Sequence, residues 1–181
     1  WDHIQGLPFF KPALIKGSKI NIYGERSKEK SLKEIIEGIM KEPYFPIKLE
    51  NLPSILSFKE ITPGESVDIN ESLRVSTESN NHPNGGVSYR IDFNGRSCCY
   101  ITDTEHFEEG VDTKLREFIK GADVVIYDAF YTDEEYNGQK DRPNRKGWGH
   151  STWQEGIRLV KSAEAKKLIL FHHHIDRRDD E

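Results

Sequence analysis

The order of local patterns after residue 86 constrains the fold of this chain most. "VSYRIDFNGRSCCYITD" is two alternating apolar–polar runs around Asn94-Gly95, the signature of a tight hairpin. "DTKLREFIKGA" has helical spacing with a natural stop at Gly121, and "DVVIYDAFY" is a short apolar run of the kind buried as a strand. "STWQEGIRLVKSAEA" reads as a helix that Ser151 or Thr152 caps, with Ile157, Val160 and Ala163 turned inward. "KKLILF" is a last strand, and three histidines follow it at once. Strand, helix, strand, helix, strand in that order demands a sheet covered by helices. The expected class is therefore α/β (α+β layered).

The first half is richer in strands. "KINIYG" alternates and ends on Gly24, while "SLKEIIEGIMKEP" spaces apolar residues 32, 35, 36, 39 and 40 as a helix that Pro43 closes. "SILSFKEITPGESVDI" and "LRVSTESNNHP" are strand-like pieces around Pro63-Gly64, and "IQGLPFFKPALI" is a short helix or turn followed by a Pro-broken loop. No linker or repeat interrupts the chain, so a single domain over residues 1–181 is expected, long enough to bury a core without staples.

Composition narrows the function. No apolar run is long enough to span a bilayer. A net charge of -5 argues against a broad surface for long nucleic acid, while leaving a local contact such as tRNA open. The two cysteines, Cys98 and Cys99, are neighbours in a strand and point to opposite faces, so no disulfide framework exists and a reducing cytoplasm is expected.

Chemistry-bearing side chains gather where strands and loops end. Asp2 and His3 open the chain; His82 lies in "NNHPNGG", Asp103 and His106 in "YITDTEH", and His150 in "GWGHST" before a helix. His172, His173 and His174 follow the last strand. Layered α/β proteins build sites on such an edge. Imidazoles with carboxylates suit zinc, manganese or iron, and two metals need a bridging carboxylate. Any one loop histidine is more simply a solvated side chain; it is their shared placement that signals a site.

"WDHIQGLPFF" resembles the second half of the His-x-His-x-Asp-His signature of the metallo-β-lactamase fold, with Trp1 as spacer. "NNHP", "YITDTEH", "GWGHST" and "LILFHH" follow in that family's order. The resemblance is to its phosphodiesterase and ribonuclease Z-like branch. It implies an αββα sandwich, truncated at the N-terminus because the two upstream histidines are expected to precede Trp1, and ending before the family's last segment. It further implies two divalent metals, zinc first, with manganese or iron as alternatives. Asp2 and His3 would hold the second metal, Asp103 would bridge, and His172, with His173 in reserve, would complete that site. His82 would belong to the first metal.

The implied reaction is hydrolysis of a phosphodiester by a hydroxide shared between the metals. His150 would protonate the leaving oxygen, Asp128 would orient it, and Asp2, Asp128 and His150 form the expected catalytic set. His150 and Asp128 also have purely structural readings, a histidine bracing a helix cap and an acid ending a strand. His106 is expected near the site but not as a ligand. No amide-recognition apparatus of a β-lactamase is visible, and neither are the helix-borne features of a glyoxalase-type thioesterase. No Gly-rich basic arm of a tRNA nuclease is visible either. A small phosphodiester, a cyclic nucleotide or cyclic sugar phosphate, is thus the preferred substrate. A 3'-tRNA-processing-type endoribonuclease is the alternative, and a non-catalytic metal-binding sensing or assembly domain is the other class. A homodimer is compatible with this reading. The polar loop "YTDEEYNGQKDRPNRKGWGH" is a candidate lid or subunit contact.

Overall fold

Asn94 and Gly95 both adopt positive φ, 49° and 74°, which matches the right-handed twist of a two-residue hairpin. In the computed structural model, which describes residues 2–25, 27, 29–138 and 142–178, that hairpin sits inside a six-stranded sheet. Trp1, residues 139–141 of the polar loop and residues 179–181 lie outside the described set.

The chain divides into two compact units, residues 1–62 and 63–181. The first holds short 3-10 turns at Asp2–Ile4, Leu7–Phe9 and Lys11–Leu14, then β1 (Lys19–Glu25), α1 (Leu32–Ile39) and β2 (Ile55–Ile61). β1 and β2 pair in parallel. Ser31 caps α1 and exchanges hydrogen bonds with Glu34, closing a capping box. The inward face of α1 buries Leu32, Ile36 and, just beyond its end, Met40 against Ile22, Leu56 and Phe58 of the strands.

The second unit contains β3 (Ser66–Asn70), β4 (Leu73–Ser79), β5 (Val87–Phe93), β6 (Arg96–Ile101), α2 (Thr113–Phe118), β7 (Val124–Asp128), α3 (Asp133–Asn137), α4 (Trp153–Ser162) and β8 (Leu168–Phe171). The sheet order is β3-β4-β5-β6-β7-β8. β4 and β6 are both antiparallel to β5, whereas β6, β7 and β8 pair in parallel. β4, β6, β7 and β8 therefore run the same way, and their carboxyl ends share one rim. The α2 and α4 helices supply the core under β6 and β7: Leu115, Ile119, Leu159, Val160 and Ala163 pack with Cys99, Ile101, Val125 and Tyr127. Complete burial of a side chain such as Leu159 contributes about 1.5–3 kcal/mol.

Most expected elements form. Thr152 is the cap of α4, its hydroxyl accepting from the Glu155 amide at 3.1 Å. Val160 and Ala163 are buried as expected, but Ile157 is only half-buried, and Leu159 and Gly156 occupy the inner face instead. α3 lies within what reads as loop; a capping box between Thr132 and Glu135 starts it. Cys99 is fully buried and Cys98 partly so, consistent with opposite faces, and burial pushes the Cys99 thiol up to about 12.

Candidate metal centre

The shared rim collects one polar group from the end of each co-directional strand. Asp128 is the last residue of β7, His172 follows β8 directly, Asp103 lies two residues past β6, and His82 lies three past β4. Asp103 (φ 53°) and His172 (φ 59°) both adopt left-handed backbone immediately after their strands. That conformation is uncommon for non-glycine residues and costs stability, so it marks positions where the surrounding structure fixes the turn.

Asp128 organises the rim. Its side chain is fully buried, and one carboxylate oxygen accepts from the backbone amides of Ser151 (3.1 Å) and Phe130 (3.2 Å). The other accepts from the Asp103 amide at 2.9 Å and lies 3.2 Å from His150 Nδ1 and 3.6 Å from His172 Nδ1. A carboxylate only accepts, so a hydrogen on His150 Nδ1 suits this contact. The His150 ring is held between Phe130, stacked at 4.5 Å and 17°, and His172, stacked at 5.0 Å and 28°. His172 Nε2 lies 3.7 Å from an Asp103 oxygen.

Within the second unit, two groups of ligand atoms lie within 4.8 Å of one another, His82 with Asp103 and His150, and Asp128 with His150 and His172. Neutral imidazoles with carboxylates at this spacing fit a divalent first-row cation such as zinc. His173 belongs to neither group and is exposed, one residue out of phase with His172. Asp2 and His3 sit in the first 3-10 turn of the other unit, where His3 is exposed. His106 is tied to Ser151 Oγ (3.0 Å) and packs on Tyr136. Burial lowers its pKa, and Glu155 and Asp133 oppose that shift.

Sequence reasoning missed the groups that brace these side chains. Glu105 is buried and accepts from Tyr136 Oη (2.5 Å) and from the amides of Gly147 (2.8 Å) and Gly149 (2.9 Å). Burial opposes its ionisation, but these three donors outweigh it and hold the carboxyl below the usual range. The loop carrying His150 is thereby pinned to the loop carrying Asp103. Asn80 donates to the carbonyls of Thr102 (2.7 Å) and Asp103 (3.2 Å), and Asn81 donates to that of Glu105 (3.0 Å), which ties the His82 loop to the same place. Gly149 has φ 83°, and a Cβ there would stand 2.2 Å from His82 Cδ2. Only glycine lets the two histidine loops approach so closely.

A family model described as "Beta-lactamase superfamily domain" matches residues 1–173. The chain belongs to the β-lactamase superfamily. Among solved structures, this superfamily member is similar to the metallo-beta-lactamase fold protein YhfI from Bacillus subtilis, with a TM-score of 0.70 at 17% identity over 99% of this chain and 63% of that one. It is also similar to the short form of human tRNase Z, with a TM-score of 0.63 at 20% identity over 87% of this chain and 61% of that one. These likenesses establish the metallo-β-lactamase fold expected from the sequence. Among curated proteins, ribonuclease Z of Bacillus subtilis (strain 168) is 27% identical over 84% of this chain, which spans 42% of that protein. No helix among the described residues is long and apolar enough to cross a membrane.

Proposed function

We propose that the chain carries the site of a metal-dependent hydrolase that cleaves a phosphodiester. The observation that supports this most is the convergence of His82, Asp103, Asp128 and His172 from four strand ends, and of His150 from the loop before α4, onto one rim. In this reading His82, Asp103 and His172 hold divalent metal, zinc first. Such ions supply Lewis acidity, lowering the pKa of water toward ~7 and neutralising charge on the phosphoryl oxygens. His150, protonated, gives its proton to the leaving oxygen. Asp128 fixes the tautomer and orientation of His150, and its distance to His172 suits it to orient that ring too. Phe130 covers one face of His150 and keeps water from it.

The preferred substrate is a small phosphodiester. The similarity to ribonuclease Z of Bacillus subtilis favours a second reading, cleavage of precursor tRNA. A cytoplasmic setting and a homodimer complete the proposal. The test is hydrolysis of bis(p-nitrophenyl) phosphate with added Zn²⁺ or Mn²⁺. Turnover is expected, with about a hundredfold loss or more in His150→Ala and loss of activity with the fold retained in Asp103→Ala. Metal binding without turnover would replace the enzyme reading with a sensing or assembly domain.

A further inference from the structure

Beside the rim lies a cavity of about 540 Å³ lined by Tyr131, Glu135, Arg142, Arg145, His174, Asp176 and Arg177. The same loops that carry His150 and His172 wall it. The Tyr131 ring lies 6.3 Å from that of His150, and the His174 ring lies 5.0 Å from Phe130, which stacks on His150.

Its charges do not balance internally. Arg177 bonds Glu135 at 2.7 Å, and His174 lies 3.7 Å from Asp176. Among the described residues, neither Arg142 nor Arg145 has a carboxylate within ion-pair distance. Arg145 is instead held over the Trp148 ring at 4.7 Å, which orders its guanidinium without neutralising it. Arg177 Nε is buried with no acceptor among the described residues. Two guanidiniums with no carboxylate partner, and one buried donor with no acceptor, among the described residues around a single cavity call for an anion with several acceptor oxygens. The planar fork of arginine matches phosphate in particular.

We propose that this cavity is a phosphate subsite, binding a second phosphate group of the substrate next to the one that is cleaved. The inference rests on the phosphodiesterase reading and deepens it: the substrate is a diester that bears a further phosphate, rather than a cyclic mononucleotide with only one.

Two measurements test it on the intact protein, upstream segment included. First, inorganic phosphate is titrated into protein without added metal, followed by the NMR ring signals of His174. Saturable shifts are expected in the wild type, with affinity at least tenfold weaker in the Arg142→Ala/Arg145→Ala double variant. No saturation, or equal affinity in the variant, overturns the subsite whatever the catalytic outcome. Second, with metal added, KM is compared for a dinucleotide with and without a 5'-phosphate. A KM at least fivefold lower with the phosphate is expected in the wild type, and no difference in the double variant. Phosphate binding without this preference would show a site for free phosphate and overturn the substrate-borne claim. If neither dinucleotide nor bis(p-nitrophenyl) phosphate is cleaved, the catalytic reading fails, and with it the assignment of a substrate to the cavity.

Discussion

Gly149→Ala separates backbone strain from damage to the rim. An L-residue at φ 83° costs about 1–2 kcal/mol. The new methyl would also stand 2.2 Å from His82 Cδ2, 2.7 Å from His82 Nε2 and 2.8 Å from Pro83 Cδ. To restore ordinary contact the imidazole must retreat by roughly an ångström, twice the ~0.5 Å tolerance of a preorganised site. Gly147→Ala is the matched control. It has φ 81°, but nothing lies within 4 Å of the added Cβ, so it carries only the backbone cost. Gly147→Ala should lose about 1–2 kcal/mol in urea unfolding without metal, and Gly149→Ala at least as much. By calorimetric titration with Zn²⁺, Gly149→Ala should bind about 10–100-fold more weakly, while Gly147→Ala binds as the wild type does. Equal Zn²⁺ affinity in Gly149→Ala and the wild type would refute the reasoning, because His82 would then not be a ligand.

Glu105→Gln keeps one acceptor oxygen but turns an amide toward a backbone N–H, leaving a buried donor unsatisfied. A loss of about 1–3 kcal/mol in urea unfolding is expected, together with weaker metal binding. Gly156→Ala places a methyl 2.8 Å from Tyr127 Cδ1 inside the core, so overpacking should cost about 1–3 kcal/mol. Asp123 accepts from Lys166, the Ser97 amide and Arg96, and these hold its carboxyl far below the usual range. A depressed folded pKa stabilises above the unfolded value and loses that contribution as pH falls. The stability gap between wild type and Asp123→Asn should therefore be full at pH 7 and shrink steadily below about pH 4, read by urea unfolding across that range.

Local signals carried much of the fold. Asn94-Gly95 marked the hairpin, Ser31 with Glu34 the start of α1, and Gly121 (φ 64°) the stop after α2. Thr132 with Glu135 marked α3 just as clearly, but the polar, Pro-containing stretch after it hid the signal. Ile157 was misjudged because helical phase depends on which side of α4 meets the sheet, and Gly156, seated against Tyr127, set that phase. The rim was legible because His82, Asp103, Asp128 and His172 all sit at or just past strand ends. Its bracing was not. Glu105 bonds residues 31, 42 and 44 positions away, and no local pattern reports such partners. The arginine cavity was hidden for the same reason, since Arg177 meets Glu135 across 42 residues.

Anomalous X-ray scattering at the zinc edge, from crystals grown with Zn²⁺, tests the central claim most directly. If the strand-end rim is a metal centre, the strongest peak lies within about 2.0–2.2 Å of His82, Asp103 or His172 atoms. Peaks confined to His173, His174 or surface carboxylates, with that rim empty, would contradict it.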